Sequence, residues 1–517
     1  MELAQPILAE RPDEVAIADE LGSWTWLQTN ERVNRLVHGL RSLGLQVGDA
    51  IACLSGNRHE FLEVNAACSH AGLVFVPVNW HLVADEVAYI LSDSGAKAVA
   101  TEAEFLDVAT KAADAAGVEL RILFEGAKAD GYIDYEELLA SSSPDEPDDQ
   151  SGGASMFYTS GTTGQPKGVR SSALRPGQPL ENLIASIQGL GSLLGIRPNA
   201  KTLVNSPLYH AGPYAAAVLA SATGGAIVLR KKFDPVESLR LIQDDEIAQA
   251  YFVPTHFVRF LKLDDETKNQ FDLSPLENVW HTGAPVSPDV KRQIIDWWGP
   301  VLSEYYGASE GFGSGTFVSS EEWLRKPGTV GKPLPTCQVL ILGEDGEELP
   351  TGQVGQVWFK SLIGVDFEYS GAPEKTKSVH KEPGVYTYGD VGYLDEDGYL
   401  FLSDRKIDMI VSGGVNIYPA EIESVLINHP AIADVAAFGV PNEEFGEEVK
   451  VAVQLAEGAE RSVDLEADLK KFAKEKLAGY KNPRSWDFVE EFPRTPTGKL
   501  QKRLLRDPYW EGKERAI

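Results

Sequence analysis

Two rhythms of apolar residues run through the chain. Val15-Ala-Ile-Ala18 is a short unbroken apolar run, and after it Val33, Leu36, Val37 and Leu40 fall on one face at helical spacing. The strand Ala50-Ile-Ala-Cys-Leu54 is followed by a helix over 58–71, a strand Leu73-Val-Phe-Val-Pro77, a helix over 83–94 and a short strand around Ala98-Val99-Ala100. Later the same order returns. A helix over 181–194 carries Leu183, Ile184, Ile187, Leu190 and Leu194 on one side. Strand Lys201–Asn205, helix 213–221, strand Ala226–Leu229, helix 235–243 and strand Ala250–Val253 complete the series. Strands alternating with helices predict doubly wound α/β sheets.

Two changes of pattern divide the remainder. Residues 141–153, Ser-Ser-Ser-Pro-Asp-Glu-Pro-Asp-Asp-Gln-Ser-Gly-Gly, are acidic and of low complexity, and they read as a mobile linker. From Gly328 to Asp397 short β-rich segments such as Val339-Leu-Ile-Leu342 and Gly355-Gln-Val-Trp-Phe359 alternate with Gly/Asp/Glu turns, which suggests a small β-barrel. After Asp404-Arg405 the pattern resets. Pro419 opens a helix with Ile422, Val425 and Leu426, strands follow over 432–440 and 449–455, and another helix carries Leu465, Leu469, Phe472 and Leu477. The expected architecture is therefore α/β. A large N-terminal domain, 1–404, combines doubly wound α/β subdomains with the small barrel. A hinge at 405–408 leads to a small, mobile α+β C-terminal domain, 409–517, long enough to fold by itself.

Composition narrows the function. With 43% hydrophobic residues the chain has material for a large core, and its formal net charge of -30 opposes binding to nucleic acid or anionic membranes. Cys53, Cys68 and Cys337 are odd in number, far apart and without metal-ligand spacing, so they read as buried reduced thiols of a cytoplasmic enzyme. The opening Met1-Glu-Leu-Ala-Gln-Pro has neither a basic nor an apolar leader pattern, so no signal peptide is expected. The stretch Val64–Val78 is interrupted by Asn65, Ser69, His70 and Gly72, and no integral membrane segment is expected there.

The chemistry concentrates in residues 156–169, Met-Phe-Tyr-Thr-Ser-Gly-Thr-Thr-Gly-Gln-Pro-Lys-Gly-Val. A short apolar strand runs into a loop of glycines and hydroxyls that ends at Lys167. Glycines let backbone N–H groups turn towards an anion, hydroxyls add donors, and a lysine adds a point charge. This is a phosphate cradle rather than a polar surface turn, and it lacks the Gly-Lys-Ser/Thr ending of a P-loop. Gly189-Leu-Gly191-Ser-Leu-Leu-Gly195 imitates a dinucleotide fingerprint, but a helix precedes it and one residue too many separates the glycines. Four further stretches are each weak alone: His281-Thr-Gly-Ala-Pro285, Tyr305-Tyr-Gly-Ala-Ser-Glu310, Tyr386-Thr-Tyr-Gly-Asp390 and Pro493-Arg-Thr-Pro-Thr-Gly-Lys499.

Their order and spacing resemble the adenylate-forming superfamily, which includes acyl-CoA synthetases, luciferases and peptide-synthetase adenylation domains. The resemblance runs from about residue 15 to 505, and the phosphate loop together with Asp404-Arg-Lys-Ile-Asp-Met-Ile-Val-Ser-Gly-Gly-Val-Asn-Ile-Tyr-Pro-Ala-Glu-Ile-Glu423 carries most of it. It implies an ATP-dependent ligase that adenylates a carboxylic acid, releases pyrophosphate and passes the acyl group to coenzyme A. Thr159, Ser160, Gly161, Thr162, Thr163, Gly164 and Lys167 would hold the β- and γ-phosphates of ATP. Gly283, Ala284 and Pro285, with Tyr306 and Gly307, would sandwich the adenine. Ala308 and Ser309 would lie by the α-phosphate, Glu310 would bind Mg²⁺, and Asp390 would take the ribose hydroxyls with Arg405 behind it. Lys499 would bridge the carboxylate and the α-phosphate. Small-domain rotation about the hinge, which aligns with Ile407, would then bring Ser412, Gly413 and Gly414 to the pantetheine tunnel, and Lys481 lies in a stretch resembling that of CoA ligases.

Three positions depart from the family pattern: apolar Ile407 at the hinge, Tyr388 where threonine usually precedes Gly-Asp, and Thr282 in place of a glycine beside the adenine. The acyl pocket is expected around Tyr209, His210, Ala211, Gly212, Phe252, Gly311 and Gly313, with His210 facing the carboxylate or gating the pocket, a satisfied core histidine being the alternative. Its lining is apolar and small, with no residue to meet a second carboxylate or an amino group, which favours a bulky hydrophobic monocarboxylic acid. The segment Gly168-Val-Arg-Ser-Ser-Ala-Leu-Arg-Pro-Gly177 is similar to that of bacterial synthetases for long-chain, steroid- or terpenoid-like polycyclic acids. A short aryl or medium-chain acid and delivery to a carrier protein are the alternatives, and a homodimer is a candidate assembly.

Overall fold

The computed structural model describes residues 4–124, 126, 128–159, 166–284, 286–405, 408–412, 415–442, 445–477, 479–494 and 500–511. Two largely parallel sheets dominate it. The first has the strand order Ile133–Asp134, Leu120–Leu123, Ala96–Thr101, Ala50–Leu54, Val74–Val78, Ala154–Ser155, with every pair parallel. Its central strand Ala50–Leu54 is buried along its whole length, so it reads as an unbroken apolar run with no alternation.

The second sheet has nine strands. It runs Lys332–Pro333, Thr316–Ser319, Leu302–Tyr306, Asn278–His281, Gln249–Phe252, Thr202–Val204, Ile227–Leu229, Val15–Asp19, Gly22–Thr25. Pairing is parallel from Leu302–Tyr306 to Val15–Asp19 and antiparallel at both edges. The helix Trp26–Ser42 begins at a capping box between Thr25 and Gln28 and buries Val33, Leu36, Val37 and Leu40, the face the sequence marks as apolar.

The acidic stretch 141–153 is not the free linker its composition suggests. Helix Trp26–Ser42 holds it: Arg35 donates to the Ser142 carbonyl (2.6 Å), Asn34 to the Pro144 carbonyl (3.0 Å), and Arg41 pairs with Asp149 at 2.7 Å. Gly153 then threads so close to the end of helix His59–Ala71 that a Cβ there would lie 2.3 Å from the Cys68 carbonyl oxygen. Composition registers the acidic side chains but not the guanidinium groups waiting for them.

The remaining strands are mostly antiparallel. Phe367–Tyr369, Lys167–Ser171 and Phe157–Thr159 form a three-stranded sheet. The barrel-like part is a six-stranded antiparallel sheet, in which Gly355–Ser361 pairs with Cys337–Leu342 on one edge and with both Val385–Tyr386 and Asp390–Leu394 on the other. Beyond Arg405 a five-stranded sheet, Val415–Ile417, Ile410–Ser412, Gly446–Leu455, Ile432–Asn442 and Ser485–Val489, joins helices Pro419–Leu426 and Val463–Lys476. Ile410, Ile417, Ile422, Leu426, Val451, Leu469 and Trp486 form its own apolar cluster, separate from the clusters of the large sheets. The three cysteines are buried free thiols. No helix of the described residues is long and apolar enough to cross a membrane.

Candidate active site

In open α/β sheets ligands bind beyond the carboxyl ends of parallel strands. The predicted residues gather at that edge of the nine-stranded sheet. Tyr209 and His210 follow strand Thr202–Val204, Thr282-Gly283-Ala284 follow Asn278–His281, and Gly307 to Glu310 follow Leu302–Tyr306.

The phosphate loop leaves the strand Phe157–Thr159 and returns in Lys167–Ser171, and these strands pair antiparallel with Thr159 opposite Lys167. The two ends of the predicted cradle are thus neighbours. Ser160, Gly161, Thr162, Thr163 and Gly164 lie outside the described residues. On its other edge Lys167–Ser171 pairs with Phe367–Tyr369, placing Tyr369 opposite Val169. The Tyr369 hydroxyl donates to Glu310 Oε1 at 2.9 Å. Burial first, and then the Glu310 charge, push the Tyr369 pKa upward, so the phenol stays a donor. Glu310 is therefore wired to the hairpin that carries Lys167. The sequence reading omitted Tyr369, which belongs to none of the recognisable stretches.

Asp390 is buried and accepts a 2.6 Å hydrogen bond on Oδ2 from the Tyr306 hydroxyl. Its Cα pairs with that of Arg405 across strands Asp390–Leu394 and Leu400–Arg405. The adenine and ribose candidates thus form one unit. Gly283 has φ +90 and would have no heavy atom within 4 Å of a Cβ, so this side of the candidate adenine site is open and its backbone favours glycine. Pro285 lies outside the described residues. At the end of strand Asn278–His281 the buried Lys291 side chain meets Glu304 at 2.5 Å, and burial together with Lys291 drives the His281 pKa far down, leaving a neutral imidazole.

Ala308, Ser309 and Glu310 are half-buried. The loop after them is tied by tyrosines. Tyr386 donates to Ser314 Oγ (2.8 Å), while Tyr388 (2.9 Å) and Tyr305 (3.2 Å) both donate to the Ser314 carbonyl. Tyr386, at the end of strand Val385–Tyr386, and Tyr388 two residues on thus hold the same residue.

Three positions of the expected acyl pocket stand against the protein's own side chains. Phe252 is fully buried in the core, ringed by Phe233, Phe260 and Trp298, because strand alternation sends it to the opposite face from Tyr251. Tyr251 is the residue that meets Gly212: a Cβ there would lie 2.4 Å from the Tyr251 hydroxyl and 2.9 Å from Thr282. At Gly311 the vacant side-chain position is filled by Tyr388. These glycines make room for the protein's own rings. Gly313, at φ +77, has its nearest atom at 3.9 Å and remains open. His210 and Tyr209 adjoin with ring centroids 4.3 Å apart, and His210 stands at the position just before helix Ala211–Ala222. Buried Asn57, from the loop after Ala50–Leu54, holds this turn: it donates to the Ser206 carbonyl (2.8 Å) and accepts from Leu208 N–H (2.8 Å). The sequence reading passed over Asn57, whose only signal is a polar residue directly after an apolar strand.

In the small unit Ser412 ends strand Ile410–Ser412 and pairs with Val415. Gly413 and Gly414, between them, lie outside the described residues, as do Ile407 and Lys499. The loop carrying Lys499 is closed at its base by an Arg494–Leu500 bridge, and Arg494 is ion-paired to Asp434. Lys481 is engaged by Glu421, whose hydrogen bond raises its pKa despite partial burial.

Residues 5–364 match the family model for AMP-binding enzyme and residues 421–499 that for AMP-binding enzyme C-terminal domain. The chain belongs to the AMP-binding enzyme family, and it is an acid-adenylating ligase. It is 33% identical over 513 residues to the fatty acid–[acyl-carrier-protein] ligase ScoC of Streptomyces coeruleorubidus, covering 98% of this chain and 95% of that protein. It is likewise 33% identical over 497 residues to the long-chain-fatty-acid–CoA ligase FadD13 of Mycobacterium tuberculosis, with 94% and 93% covered. Among solved structures, the amide bond synthetase McbA from Marinactinospora thermotolerans superposes with a TM-score of 0.83 at 26% identity, over 98% of this chain and 99% of that one.

Proposed function

We propose that this protein activates a hydrophobic monocarboxylic acid with ATP, forming an acyl-adenylate and pyrophosphate, and transfers the acyl group to the thiol of coenzyme A. The observation that carries the reading is the joining of the Glu310 loop to the Lys167 hairpin through Tyr369, beside the Tyr306–Asp390 pair. It supports reading Glu310 as the cation-binding carboxylate, Lys167 as the phosphate-side lysine and Asp390 as the ribose-binding aspartate.

Each residue answers a requirement of the reaction. A carboxylate and a polyphosphate repel each other, so attack needs positive charge and fixed geometry at the α-phosphate. Lys167 and the cradle hold the departing pyrophosphate. Lys499 is assigned the substrate carboxylate and the α-phosphate. Asp390 and Tyr306 fix the nucleoside. Glu310 suits magnesium: a carboxylate is a hard oxygen donor, and after accepting from Tyr369 on Oε1 it still has Oε2 to offer. Bound there, magnesium would neutralise phosphate charge. The two-step order gives the domain plan its purpose. With 1–404 as the adenylation domain, 405–408 as the hinge and 409–517 as the mobile domain, Lys499 serves adenylation and withdraws for the thiol, which Ser412, Gly413, Gly414 and Lys481 receive.

The filled positions at Gly212 and Gly311 favour a slender acid, fatty or flat aryl, over a fused-ring one. The named relatives agree, being ligases for fatty acids. Pyrophosphate release is to be measured with fatty, aryl and polycyclic acids, with and without CoA. Release with a fatty or aryl acid and CoA-dependent turnover support the proposal, and release with none of the acids defeats it. A second reading, delivery to a carrier protein, is favoured by the similarity to a ligase named for that acceptor. It prevails if acyl-AMP forms, CoA leaves the rate unchanged and a phosphopantetheinyl carrier is acylated. Lys499→Ala is expected to slow adenylation about 10²–10³-fold while sparing thioester formation from supplied acyl-adenylate. Equal loss of both half-reactions would contradict domain alternation.

A further inference from the structure

We propose that Tyr388 and Gly311 form a size-matched lock that fixes the Glu310–Ser314 loop against the turn bearing Asp390, which makes Tyr388 a positioning residue for the nucleotide site. The inference rests on the reading of Glu310, Tyr306 and Asp390 as that site.

A Cβ at residue 311 would lie 1.5 Å from the Tyr388 hydroxyl oxygen and 2.6 Å from Cζ, closer than any real contact. The backbone of Gly311 is not in the left-handed region, so its conformation alone does not require glycine. What requires it is the tyrosine. Tyr388 is held from both ends. Its hydroxyl donates to the Ser314 carbonyl at 2.9 Å, and its ring packs 4.8 Å from Phe359 and 6.4 Å from Tyr306. Burial drives its pKa well up, so the hydroxyl remains a donor. On the other side Thr387 donates to the Val357 carbonyl (2.7 Å) and accepts from Gly389 N–H (3.0 Å), which fixes the turn into Asp390.

The lock therefore sits between two functional ends. Gly311 follows Glu310 directly, and Tyr388 stands two residues before Asp390. Tyr306 touches Tyr388 and donates to Asp390. A displaced Tyr388 would move the carboxylates at both ends, and a side chain at 311 would displace it. Core-like packing of this kind leaves little slack, so bulk added on one side must be removed on the other.

The test is a double-mutant cycle with Gly311→Ala, Tyr388→Thr and the pair. The readouts are the dissociation constant for ATP by calorimetry without acid, and the thermal unfolding midpoint. Gly311→Ala is expected to weaken ATP binding about tenfold or more, Tyr388→Thr to weaken it less, and the pair to bind within about threefold of the unsubstituted protein. Tyr388→Phe, which keeps the ring, should stay nearer the unsubstituted protein than Tyr388→Thr. Additive losses in the pair, or ATP binding by Gly311→Ala equal to that of the unsubstituted protein, would overturn the lock. If the unsubstituted protein binds no nucleotide, the nucleotide reading itself fails. The lock is then judged on the unfolding midpoints, where recovery in the pair supports it and additive losses overturn it.

Discussion

Tyr306 and Asp390 show what one hydrogen bond contributes at this site. A neutral hydroxyl donating to a buried carboxylate is worth more than an ordinary pair. Tyr306→Phe leaves the ring for the adenine but removes that donor, so AMP affinity is expected to fall about tenfold, equivalent to ~1.4 kcal/mol, as read by calorimetry. Titration of buried histidines gives a second residue-scale outcome. Burial lowers the His70 pKa to about 4 against its bond to Gln150, and burial with Arg259 lowers that of His256 to about 3. Both bind protons more tightly when unfolded. Stability is therefore full above the ordinary histidine value near 6.5 and declines as pH falls towards the folded values, by up to ~1.4 kcal/mol per pH unit for each. Urea midpoints between pH 7.5 and 4.5 should show this slope, and His70→Gln should flatten it. The stretches holding Lys167, Glu310, Tyr306 and Asp390 were legible in the sequence as candidates because each gathers glycine, hydroxyl or charged residues at a turn after an apolar run. Tyr369 and Asn57 were not, since each acts through a partner far away in the chain. The opposite faces of Tyr251 and Phe252 were not legible either, because a short strand buried along its whole length shows no alternation from which to tell them.

At the scale of elements, most strands and helices were visible as periodic runs, while their neighbours were not. Val15–Asp19 is the first strand of the described residues yet pairs with Ile227–Leu229, and Ala154–Ser155 closes the edge of the other sheet beside Val74–Val78. Such crossovers depend on long-range packing that leaves no local trace. The acidic stretch 141–153 shows the same limit from the other side, because the residues that pin it lie on a helix a hundred positions earlier. Gly153 is the tightest point of that attachment. Gly153→Ala would place a methyl against the backbone carbonyls of Cys68 and Leu73, with Cβ distances of 2.3 and 2.6 Å. It should cost about 1–3 kcal/mol, measured by denaturant unfolding, and should raise protease cutting within 141–153.

Across the whole molecule, the net charge of -30 sets the surface character and the apolar clusters set the units. The clusters of the large sheets draw on residues from Ala4 to Leu400, and those of the small unit on residues from Ile410 to Phe492. Independent cores unfold as independent cooperative blocks. Calorimetry is expected to resolve two transitions, and ATP should raise the one belonging to the large unit more than the other. Ile422→Ala, inside the small core, should lower only the small unit's transition, by about 2–5 kcal/mol in stability.

The separate cluster around Ile422 also has a consequence for time. Backbone amides of strand Gly446–Leu455 can open to solvent without any strand of the nine-stranded sheet opening. Deuterium should enter the two sets of amides along separate exponentials, each with its own denaturant slope.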